Sequence, residues 1–251
     1  MGRARTGIKG LDELLNGGFP RGSSILVCGG PGTGKSIFGL QFIYSGAKLG
    51  EPGLYITIEE KPAKLREQAK FFFKDFEAYE KKNKILFLKI PIDITDLDII
   101  SLIKKSAKKI NAKRIVVDSL SILSINAPMY KISLKAGYDK DVLFSKAELR
   151  PSSFGYEKET KQFIYMFINR VVEVGATNLF IADSPEQSNY LTRDTVSEFV
   201  CDGVIRLKEM TMGRTVQRVV EIKKMRNTNV QPGFHTLVFG KNGLEIIKFQ
   251  Y

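Results

Sequence analysis

Gly29 to Ser36 reads GGPGTGKS, and no other segment of the chain carries chemistry as specific. It fits Gly-x-x-x-x-Gly-Lys-Ser, a spacing in which glycines let the backbone curl until successive N–H groups face one cluster of anionic oxygens. Gly30, Pro31, Gly32, Thr33 and Gly34 are expected to form the cradle, Lys35 to reach the β and γ phosphates of a nucleotide, and the Ser36 hydroxyl to ligate Mg²⁺. The partial positive charge of a following helix N-terminus adds to the same site.

A carboxylate is needed to complete the metal's surroundings, and the end of an apolar strand is where it is expected. Asp118, closing RIVVD, meets that requirement. Hydrolysis also needs a group that orients or deprotonates water. Glu59 and Glu60 follow LYITI, at the carboxyl edge where open α/β sheets bind ligands. Strand alternation would turn only one of the pair toward the nucleotide; Glu59 is the preferred base and Glu60 the alternative. ATP and Mg²⁺ are thus the expected ligands, and phosphoanhydride hydrolysis the expected reaction.

The elements that must position these residues are legible as short β-branched runs alternating with amphipathic segments, the pattern of a parallel sheet covered by helices. Strands are expected at Ser24 to Cys28, Leu54 to Ile58, Ile85 to Lys89, Arg114 to Asp118 and Asn178 to Ala182. Helices are expected at Gly34 to Leu49, Pro62 to Phe76, Leu97 to Ile110 and Lys158 to Val174. From about 125 to 157 the pattern breaks, which suggests a lid or loop insertion. GVIRL, VQRVVEIKKM, HTLVF and LEIIKF then read as an antiparallel meander. One α/β domain over 1–251, with a mostly parallel sheet and a C-terminal β meander, is the expected architecture.

Composition narrows the class. Hydrophobic residues are 43% and charged residues 26%, the balance of a folded domain. No apolar run approaches the roughly 20 residues of a bilayer span, and the N-terminus lacks a signal-peptide core, so no membrane insertion and a cytoplasmic location are expected. Cys28 and Cys201 read as structural thiols. Phe71 to Phe73 read as a core-facing helix stripe. The net charge of +12 favours a polyanionic partner, although it also suits a solvated lysine-rich surface.

Taken together, TGIKGLDELLNGGFPRGSSILVCGGPGTGKS, YITIEE, RIVVDSLS, EFVCDGVIRL and RVVEIKKMR resemble the KaiC-like branch of the RecA/RadA ATPase superfamily, in its single-domain archaeal form. The resemblance spans nearly the whole chain and implies a RecA-like P-loop core that binds ATP at the subunit interfaces of a ring, commonly a hexamer. It also implies that Lys224 and Arg226, the family's Lys-x-Arg pair, reach the γ-phosphate bound by a neighbouring subunit. The chain departs from the two-domain clock protein in having one core and one P-loop, so a circadian role is not implied. IADSPEQ after the last parallel strand leaves the part played by Asp183 and Ser184 open.

Three functions compete at this level: an ATPase ring or nucleotide-gated switch, a recombinase-like ATPase that binds DNA, and a scaffold that binds ATP to assemble with a protein partner.

Overall fold

The structure is a computed structural model and describes residues 2–92, 97–127, 130–131, 153–185, 190–212 and 215–247. Most of the expected 125–157 insertion therefore lies outside the described residues. The strands are β1 (Arg3–Ala4), β2 (Phe19–Pro20), β3 (Ser24–Gly29), β4 (Gly53–Thr57), β5 (Ile85–Lys89), β6 (Leu97–Asp98), β7 (Arg114–Asp118), β8 (Tyr130–Lys131), β9 (Thr177–Asp183), β10 (Gly203–Met212), β11 (Thr215–Met225), β12 (Phe234–Gly240) and β13 (Gly243–Ile247). The helices are α1 (Leu11–Leu14), α2 (Lys35–Lys48), α3 (Pro62–Phe72), α4 (Phe76–Lys81), α5 (Ile99–Ile110), α6 (Leu120–Ile125), α7 (Ser153–Val172) and α8 (Ser197–Val200).

A nine-stranded sheet organises the molecule, in the order β13-β12-β11-β10-β3-β9-β7-β4-β5. From β10 to β5 every neighbouring pair is parallel, whereas β10 to β13 run antiparallel. This is the expected α/β class with its C-terminal meander. Every residue of β3 is buried, as a parallel strand covered on both faces requires. Its odd-numbered side chains, Ile25 and Val27, pack with Phe38, Phe42 and Ile43 of α2. Its even-numbered ones, Leu26 and Cys28, join Ile103 of α5 and Phe167 of α7 on the other face. Two cores thus clamp the strand that feeds the P-loop.

Several local expectations are corrected. The helix expected over Pro62 to Phe76 is two helices, α3 and α4, because Phe73 leaves helical geometry with ψ 86°. Leu97 and Asp98 pair with Tyr130 and Lys131 as a strand before α5 begins. Asp98 then caps α5, its carboxylate accepting from the Ser101 N–H at 3.0 Å. The phenylalanine stripe holds for Phe73, which is buried and stacked on Tyr44 at 4.6 Å between ring centres. It fails for Phe71, which is 80% exposed, because three consecutive residues of a helix point in three directions.

Candidate nucleotide site

β3 ends at Gly29 and α2 begins at Lys35, so the motif occupies the strand-to-helix turn its chemistry needs. Two glycines show why other residues do not fit. A Cβ on Gly29 would lie 2.5 Å from the Leu207 carbonyl oxygen on β10. Gly34 has φ +102°, and a Cβ there would lie 3.0 Å from the Phe239 ring. Thr33 braces the turn from within, its hydroxyl donating to the Gly30 carbonyl at 2.8 Å. Pro31 and Gly32 are exposed at its tip.

The Lys35 ammonium donates to the carbonyls of Gly29 at 2.9 Å and Gly30 at 2.8 Å, and pairs with Asp183 at 3.1 Å. Asp183 ends β9, next to β3, where its backbone N–H donates to the Ser121 hydroxyl at 2.7 Å. Asp183 of IADSPEQ therefore touches the P-loop lysine. Ser184 instead binds through its backbone N–H to Gly29 and through its hydroxyl to Leu191.

Ser36 and Asp118 are brought together. Asp118 accepts a 2.7 Å hydrogen bond from the Tyr55 hydroxyl and is also hydrogen-bonded to the Ser36 side chain. Burial pushes the Asp118 carboxyl above the ordinary range, against the hydrogen bonds of Tyr55 and Ser36, and the nearby Glu60 charge adds to the rise. A buried carboxylate beside a hydroxyl is a hard oxygen donor set of the kind Mg²⁺ takes alongside phosphate oxygens and water. Among the described residues, no cluster of three or more His, Cys, Asp or Glu could cage a metal alone. The donor set therefore fits an ion that arrives with the nucleotide. Tyr55 was not foreseen; its signal was its place two residues before the end of β4, on the face shared with α2.

β4 stops at Thr57, and the chain bends through Ile58 to Glu60, so the alternation rule no longer governs the glutamates. Glu60 accepts from the Lys64 ammonium at 2.9 Å and the Gln68 amide at 3.2 Å, and its charge reaches Asp118 and Tyr55. Glu59 is exposed, and among the described residues its carboxylate accepts no hydrogen bond.

Lys224 and Arg226 lie elsewhere. Lys224 pairs with Val204, which pairs with Leu26, so the lysine is level with the middle of β3 and two strands away. That is about 10 Å along and about 10 Å across the sheet from Gly29. Its ammonium turns toward the amino edge, donating to the carbonyls of Cys201 at 2.6 Å and Phe199 at 3.2 Å. Arg226 pairs with Asp202 on the same edge at 3.2 Å. Neither side chain is directed at the P-loop of its own chain.

An aromatic surface flanks the cradle and was also missed from sequence. Phe239 of β12 stands against Gly34, meets Phe72 at 6.2 Å between ring centres and carries the Arg218 guanidinium over its ring at 5.2 Å. Cys28 lies under the P-loop and Cys201 beside Lys224; both thiols are buried, and burial pushes Cys28 up to about 11.

A P-loop between a buried parallel strand and its helix, with a carboxylate two strands away, defines a RecA-like nucleotide-binding α/β protein. The chain belongs to the KaiC ATPase family: the family description "ATPase: KaiC" matches residues 4–132 and 152–251. A UPF0273 protein of Pyrococcus horikoshii is 40% identical over 142 residues, a match spanning 50% of the chain and 58% of that relative. A UPF0273 protein of Saccharolobus solfataricus is 31% identical over 97% of the chain and 82% of its own length. The circadian clock oscillator protein KaiC of Parasynechococcus marenigrum is 29% identical over 96% of the chain, which spans 44% of that longer protein. The solved structure of a KaiC-like protein from Pyrococcus horikoshii superposes with a TM-score of 0.77 at 31% identity, covering 98% of this chain and 99% of that one. No helix among the described residues is long and apolar enough to cross a membrane.

Proposed function

We propose that the chain is a Mg²⁺-dependent ATPase that turns over at the interfaces of a homo-oligomeric ring, with a hexamer as the expected form. The observation that carries this reading is the separation of its two cationic groups. Lys35 stands at the carboxyl edge in the P-loop, whereas Lys224 and Arg226 are tied to the amino edge of the same sheet. Charge developing on a transferred phosphoryl group is stabilised by Lys or Arg, and a pair at the opposite edge is out of reach of its own P-loop, which supports a role toward a nucleotide held by another copy. A head-to-tail contact of this kind closes into a ring when its rotation permits.

In this mechanism the backbone from Gly30 to Gly34 binds the phosphates and Lys35 exchanges its carbonyl and Asp183 contacts for phosphate oxygens, while Ser36 and Asp118 would hold a Mg²⁺ ion that would neutralise phosphate charge. Glu59, whose carboxylate accepts no hydrogen bond among the described residues, orients the attacking water, while Glu60, held by Lys64 and Gln68, adds negative charge beside Asp118. Phe239 and Phe72 offer the base an apolar surface next to the P-loop. The 125–157 stretch is read as an insertion in a single domain; the family match skips 133–151 within it.

Steady-state phosphate release tests the reading. The wild type is expected to turn over ATP with Mg²⁺ and to lose turnover with EDTA, and Lys35→Ala is expected to fall at least about 100-fold. Release that is unchanged in Lys35→Ala would overturn it.

A further inference from the structure

A set of lysines outside the nucleotide site stands at the amino edge of the sheet, beneath β4, β5 and β7. Ile85 of β5 and Arg114 of β7 both pair with Gly53 of β4. Lys84 and Lys113 immediately precede those rows, and backbone bonds fix them there. The Gly53 N–H donates to the Lys84 carbonyl at 2.9 Å, and the Lys113 N–H donates to the Pro52 carbonyl at 2.7 Å. Two strand spacings place the two backbones about 10 Å apart. On one face of the sheet Lys82 caps the C-terminus of α4, and on the other Lys108 and Lys109 end α5. Asn83 and Asn111, at φ 55° and 51°, turn both chains directly from helix end to strand start. The five lysines therefore form a ridge that crosses the sheet edge from face to face.

These charges are uncommitted. Lys82, Lys108, Lys109 and Lys113 are exposed and Lys84 partly so, and among the described residues none of the five is in an ion pair. The surrounding carboxylates are engaged: Glu80 with Arg66 at 2.6 Å, Glu51 with Arg114 at 2.6 Å and Glu173 with Lys104 at 2.9 Å. α5 contains no acidic residue. Favourable placement at helix C-termini accounts for Lys82, Lys108 and Lys109, but not for Lys84 and Lys113, which stand immediately before strand starts.

We propose that this ridge binds the phosphate backbone of a nucleic acid without reading its sequence. Protein interfaces are depleted in lysine and anchored by buried aromatic or other large apolar side chains. Among the described residues, no large exposed hydrophobic side chain falls between 77 and 89 or between 104 and 114, and the segment leading into β4 exposes one, Leu49, too little for an apolar anchor cluster. The same lack removes the apolar insertion that holds an interfacial segment in a bilayer. What is left is a row of point charges across a narrow edge, which suits successive backbone phosphates. The inference is independent of the ATPase reading.

Fluorescence anisotropy with a labelled single-stranded oligonucleotide and its duplex, from about 50 to about 200 mM salt, tests it. Five phosphate contacts predict a slope of log K against log salt of about −3.5 on the single strand and about −4.5 on the duplex. The triple variant Lys84→Gln, Lys109→Gln, Lys113→Gln is expected to bind at least about tenfold more weakly and to lose about 2 from the single-strand slope. Its ATP turnover and thermal midpoint should match the wild type, since these side chains touch neither the P-loop nor the cores. No binding by the wild type at the lowest salt, or undiminished binding by the variant, would overturn the proposal. Variant-sensitive capture of polyglutamate or anionic vesicles, with none of nucleic acid, would also overturn it.

Discussion

Glu59 and Glu60 are adjacent in sequence and opposite in commitment. Glu60 is held by Lys64 and Gln68, whereas Glu59 is exposed in the middle of the bend. Glu59→Gln is expected to lower kcat by about 10² or more with little change in ATP affinity, the signature of lost acid–base or water-orienting chemistry. Glu60→Gln should change Mg²⁺ dependence and KM more than kcat, because its charge acts on Asp118. Measuring kcat and KM for both variants separates the roles, and an equal kcat loss in the two would reject the assignment. The turn at GGPGTGKS needed no tertiary structure to be placed between strand and helix, because it resides in local backbone geometry. Tyr55, Asp183 and Phe239 could not be read so, since each reaches the site from a different strand.

At the scale of elements, β4 and β7 are joined below the site by a buried ion pair. Arg114 is fully buried and donates to Glu51 through Nε at 2.8 Å and Nη2 at 2.6 Å; Arg21 also reaches Glu51. The other Arg114 Nη donates to the carbonyls of Arg5 at 2.7 Å and Phe42 at 2.8 Å, tying the N-terminal segment to α2. Burial alone would raise the Glu51 carboxyl, but the hydrogen bonds from Arg21 and Arg114 outweigh it and hold the group below its ordinary value. A depressed folded pKa stabilises the protein above the unfolded value, about 4.3, and that contribution disappears as pH falls through the folded value. Glu51→Gln leaves Arg114 buried and unpaired and is expected to cost about 3 kcal/mol at neutral pH. Urea midpoints should show the gap between wild type and variant closing below about pH 4. A gap independent of pH would mean that the carboxylate charge contributes nothing. The strand at Arg114 was legible from its apolar run, but the partner of its first residue was not, because Glu51 lies 63 residues away.

For the whole molecule, the ring reading makes a prediction that no single variant can test. Lys35→Ala and Arg226→Ala should each lose activity, one through its own cradle and the other through its neighbour's. Mixed in equal amounts and allowed to exchange, they should restore about one interface in four, because half the P-loops and half the arginines are intact and assort independently. Phosphate release from the mixture, compared with each variant alone, reads this directly. If both groups served one subunit's nucleotide, every subunit would be defective and mixing would restore nothing.

The sequence by itself determined the glycine-rich turn between a strand and a helix, the acidic end of β7, the alternation of strands and helices and the C-terminal meander, since all of these are written in local spacing. It also placed β5 and β7 at their observed limits, because a short uninterrupted apolar run flanked by polar residues leaves little freedom in where a strand starts or stops. Only the tertiary structure decided that Lys224 and Arg226 face away from their own P-loop, that Asp183 meets Lys35, and that lysines from two helix ends and two strand starts form one ridge. Those facts depend on strand order and register, and parallel strands joined by long crossovers bring together residues whose sequence separation carries no signal of their contact.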